Sequence, residues 1–258
     1  MRHRKTLKTG VELDVFDKGK GEAVLYLHGF VGFSEQDAFV EPVTSGHRLI
    51  APTHPGYGDA PVPKWLDSTA DAAFIYWSLL DELEIDSFHL VGSALGGWIA
   101  TEMATMSPDR VKSLTLVSPV GVKLGARDAL DIPDLYKLSN EDLYQAFFSD
   151  KTDATFDPDS MSDEEVVAFI RSREAVALYA WEPWMHNPKL RHRIPRIAVD
   201  TVLARGAEDK IVAKWYADGF AELFPNATRT EIAGAGHDLL HDAPDELAKL
   251  VMQRLGSR

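Results

Sequence analysis

The 258-residue chain contains no cysteine. That excludes disulfides, thiolate metal sites and a cysteine nucleophile. Basic residues are scarce relative to acidic ones: 27 Lys and Arg stand against 40 Asp and Glu, a formal net charge of −13. A field of that sign repels phosphate backbones and argues against nucleic-acid binding. No apolar run approaches the roughly 18 residues of a membrane span. The opening Met1-Arg2-His3-Arg4-Lys5-Thr6 is basic, but no apolar segment follows it, so it does not read as a secretory signal. Internal repeats and low-complexity tracts are also lacking. What is present is ordinary, with 45% hydrophobic and 26% charged residues, the balance of a chain that buries a core without staples. The expectation is a soluble cytoplasmic protein with no membrane or nucleic-acid partner.

Short apolar runs alternate with helical patterns. Val11–Phe16 alternates apolar and polar residues, as a half-buried strand does. The runs 23–27, 47–51, 88–91, 111–117 and 201–204 are apolar on both faces and suit central strands of a parallel sheet. Ser68-Thr69-Ala70-Asp71 reads as a capping box, after which Ala72, Ile75, Tyr76, Leu79, Leu80 and Leu83 recur at helical spacing. Further helices are predicted over 96–106, 214–223 and 245–255. Strand–helix–strand alternation predicts an α/β fold, a mostly parallel central sheet with helices on both faces.

Between Pro119 and Pro195 there are helical patterns and no convincing strand. Ser139-Asn140-Glu141-Asp142 and Ser162-Asp163-Glu164-Glu165 both read as capped helix starts, and 150–159 reads as a polar loop. The expected division is a core of residues 1–119 and 196–258 with a helical cap, 120–195, inserted in it. Asp157, Asp159, Asp163, Glu164 and Glu165 read as a solvated loop and helix start rather than a metal site.

The sharpest signal is Val91-Gly92-Ser93-Ala94-Leu95-Gly96-Gly97, where a predicted strand ends and a helix begins. Here the chain resembles the α/β-hydrolase family, whose nucleophile elbow reads Gly-x-Ser-x-Gly. The turn is tight, and Gly92 and Gly96 stand where side chains would clash. The centre of this elbow is Ala94, which has no oxygen to attack with. Ser93 is a poor substitute, because its flanking positions are Val91 and Leu95. Ala94 reads either as a replacement made to silence an otherwise complete enzyme, which is favoured, or as a natural residue of a chain that works without a nucleophile.

The resemblance extends to four more segments, each at a predicted strand end. His28-Gly29-Phe30-Val31-Gly32 matches the oxyanion loop, which implies that the amides of Phe30 (or Val31) and Leu95 hold the oxyanion. His54-Pro55-Gly56-Tyr57-Gly58 matches a structural turn near the site, with His54 not catalytic. Gly206-Ala207-Glu208-Asp209 places the triad acid at Asp209, with Glu208 the runner-up, and Gly234-Ala235-Gly236-His237 places the base at His237. The resemblance implies acyl transfer to water with no metal and no organic cofactor. It implies a small, partly apolar substrate, an ester or lactone as first choice. Val31, Trp181 and Trp184, with Pro183 and Met185 beside them, are expected to wall the pocket, although the tryptophans could equally hold the cap on the core. Leu95 rather than Trp after the elbow turns away from epoxide hydrolases and dehalogenases. Asp238 after His237 weakens a carbon–carbon bond hydrolase without excluding it. A His237–Asp209 general base without covalent catalysis, and a binding-only member of the fold, stay open.

Overall fold

The computed structural model describes residues 1–150, 159 and 161–256. Eight strands form one sheet in the order β1-β2-β4-β3-β5-β6-β7-β8. At one end of the sheet β2 (Glu12–Lys18) pairs antiparallel with the edge strand β1 (Arg2–Thr6) on one side and with its other neighbour in that order on the other. The rest run parallel: β3 (Ala23–Leu27), β4 (Arg48–Pro52), β5 (Phe88–Ser93), β6 (Val111–Val117), β7 (Thr201–Gly206) and β8 (Ala227–Ile232). The mostly parallel α/β sheet predicted from the apolar runs is therefore present. The basic opening forms β1, which sequence patterning did not predict. Its residues are mostly exposed, so the apolar alternation that betrays a half-buried strand is missing.

Successive residues of a strand point to opposite faces, and β3 shows the consequence. Leu25 and Leu27 join the apolar cluster beneath α2 (Thr69–Glu82), α3 (Leu95–Met106) and α6 (Lys214–Ala221). Val24 and Tyr26 join the cluster on the other face, under α1 (Val40–Thr44) and α8 (Pro244–Leu255). All five residues of β3 are buried, as expected of a strand covered on both sides. A short α7 (Leu239–Asp242) precedes α8.

Between β6 and β7 lie α4 (Asn140–Phe147), α5 (Asp163–Ala180) and two short 3-10 turns. Both helices start on the predicted serines. Ser139 accepts from the Asp142 amide, and Ser162 accepts from Glu165, whose carboxylate returns to the Ser162 amide. Asp163, Glu164 and Glu165 form the first turn of α5. Most of the predicted polar loop, Asp157 included, lies outside the described residues. Among the described residues no helix is long and apolar enough to cross a membrane.

The cap of α2 forms the predicted serine half of the box, with the Asp71 amide donating to Ser68 Oγ, but the Asp71 carboxylate accepts from the Ser68 hydroxyl at 2.8 Å and the Asp67 amide at 3.3 Å rather than from the Ser68 amide. Ser68→Ala is expected to lower stability by about 1 kcal/mol, read as a lower urea midpoint with an unchanged slope.

Candidate active site

The turn from β5 into α3 is held by close backbone approach. A Cβ on Gly92 would stand 2.4 Å from the Gly96 carbonyl oxygen and 2.8 Å from the Ala100 side chain. A Cβ on Gly96 would stand 2.1 Å from the Leu27 carbonyl oxygen. Only glycine fits at either place, so α3 starts directly against the end of β3. Ala94 sits between them at φ 48, ψ −110, a left-handed backbone that costs an ordinary residue on the order of 1–3 kcal/mol. Its amide donates to the Val117 carbonyl at 2.8 Å and its carbonyl accepts from Trp98 at 3.1 Å.

Ala94 lines a small, partly open cavity together with His237. The remaining walls are apolar: Phe30, Leu95, Val120, Ile132, Leu135, Phe147, Val176, Met185 and Ile211. His237 arrives on the loop after β8. Its Nδ1 lies 3.1 and 3.0 Å from the two carboxylate oxygens of Asp209, which arrives on the loop after β7. With Nδ1–H donating to Asp209, Nε2 is the acceptor nitrogen, and it has no partner among the described residues. The amides of Phe30, Val31 and Leu95 likewise donate to no acceptor among the described residues, as oxyanion donors must be free to do.

Asp209 is 6% exposed and His237 4%. Burial pushes the Asp209 carboxyl up, but the His237 charge, its hydrogen bond and the Val212 amide more than offset that, so the group lies below the usual carboxylate range. Oδ1 accepts from the Ile211 and Val212 amides at 2.9 and 2.8 Å. Oδ2 accepts from Ser118 Oγ at 2.8 Å. Ser118 and Phe147, whose ring stands edge-on to His237 at 5.3 Å, were not predicted. The one available signal for Ser118 is its place just past the end of β6, the sheet edge where ligand sites of this architecture lie.

The structure thus brings together position 94, Asp209, His237, Phe30 and Leu95. Ser93 does not line the cavity, and it is Asp209 rather than Glu208 that meets His237. Val31 is exposed at an outer groove shared with Phe30 and Phe147. Trp181 and Trp184 do not wall the cavity. Trp181 is 57% exposed and packs edge-on to Trp184 and Tyr136. Trp184 Nε1 donates to the Ile132 carbonyl at 3.0 Å. The backbone then turns left-handed at Met185, φ 52, which carries the Met185 side chain, not the indoles, to the cavity. The tryptophans clasp the wall from outside.

His54 is part of a buried relay under the oxyanion loop. Its Nε2–H donates to the His28 carbonyl at 2.9 Å, and its amide donates to His28 Nε2 at 3.0 Å. The Tyr76 hydroxyl donates to His54 Nδ1. His28 Nδ1–H then donates to the Gly29 carbonyl at 2.8 Å. These partners fix both rings as neutral. Burial pushes His28 down to about 4 and His54 well below its ordinary range.

A model of the alpha/beta hydrolase family matches residues 24–250. The chain belongs to the alpha/beta hydrolase family. It is thereby assigned to the hydrolases by fold and family. It is 26% identical to a 2-hydroxy-6-oxo-6-phenylhexa-2,4-dienoate hydrolase of Burkholderia cepacia over 93% of this chain and 90% of that one. It is 36% identical to the dihydrolipoyllysine-residue acetyltransferase component of the acetoin cleaving system of Cupriavidus necator, over 43% of this chain and 30% of that protein. A thermophilic esterase from Thermogutta terrifontis has the same fold, with a TM-score of 0.76 at 21% identity over 99% of this chain and 98% of its own.

Neutral buried imidazoles make stability pH-dependent with a definite sign. The unfolded state takes up a proton near the ordinary value of 6.5, whereas folded His28 holds out to about 4. The stabilisation is therefore complete above that ordinary value and is lost as pH falls through the window. Urea titrations between neutrality and mild acid are expected to show unfolding free energy falling by at least about 1.4 kcal/mol per pH unit. A flat curve would contradict the neutral relay.

Proposed function

We propose that this architecture hydrolyses a neutral, largely apolar ester or lactone when serine stands at 94, and that Ala94 is a silencing replacement of that serine. The observation that carries the reading is the shared cavity: position 94 and the Asp209-oriented imidazole of His237 line it together. A serine Oγ at this position attacks the carbonyl carbon while His237 Nε2 takes its proton, and Asp209 stabilises the imidazolium. The Phe30 and Leu95 amides receive the oxyanion. The imidazolium returns the proton to the leaving alkoxide, which departs as alcohol. Water, deprotonated by His237, then attacks the acyl-enzyme and releases the acid and the serine. With Ala94 the attacking atom is absent, while the binding walls, the oxyanion amides and the His237–Asp209 pair are retained.

The full-length resemblance to a dienoate hydrolase favours a second reading, cleavage of a carbon–carbon bond. A dienoate carries a carboxylate, and burying that charge without a partner is costly. Among the described residues no Lys or Arg lines the cavity, and Asp238 follows the base. Both features favour an uncharged ester or lactone. The segment 120–195 would then serve as a cap, supplying Val120, Ile132, Leu135, Phe147, Val176 and Met185 to the cavity wall.

The Ala94→Ser protein is expected to turn over nitrophenyl esters or simple lactones on the order of 10⁴-fold faster than the Ala94 chain, and His237→Ala in that background to abolish the gain. Equal rates for the Ala94 chain and its Ala94→Ser variant, both lost with His237→Ala, would establish the general-base reading instead. Tight ligand binding without turnover in the Ala94→Ser protein would establish a binding role.

A further inference from the structure

The loop after β6 touches both the nucleophile position and the acid. The Val117 carbonyl accepts from the Ala94 amide at 2.8 Å, and the Val120 amide reaches the Ala94 carbonyl at 3.5 Å. Between them the Ser118 amide donates to the Ala204 carbonyl on β7 at 2.7 Å. Pro119 lies against α3, where a Cβ on Gly97 would come within 3.0 Å of its ring. Four consecutive residues therefore bridge the elbow to the strand that carries the acid, and one side chain closes the bridge: the Ser118 hydroxyl donates to Asp209 Oδ2 at 2.8 Å.

Ser118 does this at a cost. It is fully buried and its φ is +43, a backbone that glycine adopts more readily than serine. A strained residue persists only where its surroundings over-determine it. Glycine would relieve the strain and lose the hydroxyl. Without that donor Oδ2 would keep His237 as its one partner, whereas Oδ1 also has two amides. The backbone would then hold the carboxylate through Oδ1 alone, and the side that Oδ2 presents to His237 would lose its brace.

We propose that Ser118 is a positioning residue, retained in a strained backbone because its hydroxyl fixes the rotamer of the Asp209 carboxylate that orients His237. Its catalytic meaning rests on the acyl-transfer reading of the site; its geometry does not. Among the described residues His237 is the one ionisable group that bonds the carboxylate. Arg205 on β7 instead holds the loop's backbone, with Nη2 on the Asp209 carbonyl at 3.0 Å, Nε on the Val212 carbonyl at 2.6 Å and Nη1 on Glu231 at 3.0 Å. Lys210 turns away to the Gln145 carbonyl and Asp150.

Ser118→Gly separates strain from function. The variant is expected to melt at the same temperature as the parent or higher. In the proton NMR spectrum of the Ala94 chain the His237 Nδ1–H signal, assigned by its absence in His237→Gln, should be sharp, and in Ser118→Gly it should broaden or vanish through exchange with water. The cause is that a carboxylate braced on one side only bonds that proton part of the time. In the Ala94→Ser protein Ser118→Gly should lower kcat for a nitrophenyl ester roughly tenfold at little-changed KM. Ser118→Ala, which keeps the strain and loses the hydroxyl, should give the same loss of the Nδ1–H signal with a lower Tm. A large drop in Tm for Ser118→Gly with the Nδ1–H signal unchanged would overturn the proposal and leave Ser118 a packing residue. A lost signal, together with an Ala94→Ser protein that turns over no ester, would sink the hydrolase reading and leave the brace standing.

Discussion

The left-handed backbone at position 94 is the constraint on which the rest of the site depends. It exists because α3 starts within contact of β3, an approach that Gly92 and Gly96 permit and any Cβ would forbid. That approach aims the side chain of residue 94 at the cavity and puts the Leu95 amide at the first position of α3. Free amides at a helix start carry a partial positive charge, so the same turn puts both residue 94 and an electropositive helix end beside the cavity. The geometry persists with alanine at 94, because it is set by the neighbouring glycines and by main-chain bonds to Val117 and Trp98.

The opposing half of the site is assembled from three loops that meet only in the folded sheet. Asp209 comes after β7, His237 after β8 and Ser118 after β6. The parallel order β6-β7-β8 brings their ends side by side. Asp209 is a buried charge, and such a group is tolerated only when paired and hydrogen-bonded. Two amides, one hydroxyl and one imidazole meet that requirement. Beneath the oxyanion loop the burial problem has the opposite solution. His28 and His54 carry no charge, and every ring nitrogen has a partner whose polarity fixes its proton. One polar cluster holds a buried carboxylate at the cavity; the other is neutral and lies beneath it.

The cavity itself is apolar apart from His237. In that low-dielectric space the pair His237–Asp209 and the amides of Phe30 and Leu95 act more strongly than they would in water. The walls come largely from the segment between β6 and β7, whereas residue 94, Asp209 and His237 come from the loops at the strand ends. The clasp of Trp181, Trp184 and Tyr136 secures that segment from outside, leaving the inner wall to aliphatic residues and Phe147.

By itself the sequence determined whatever has a local cause. The apolar runs set the parallel strands, Ser68, Ser139 and Ser162 set helix starts, and the glycine spacing around Ala94 set the elbow, because each depends on neighbours within a few residues. His237 and Asp209 were readable through their motifs and their order along the chain. Only the tertiary structure decided what lies across long separations. Strand β1 owes its place to pairing with β2, not to an apolar pattern. Met185 rather than Trp184 reaches the cavity where the backbone turns left-handed at Met185, a local event that composition does not encode. Ser118 meets Asp209 across 91 positions of sequence, and nothing short of the packed sheet edge brings a hydroxyl and a carboxylate that far apart into one hydrogen bond.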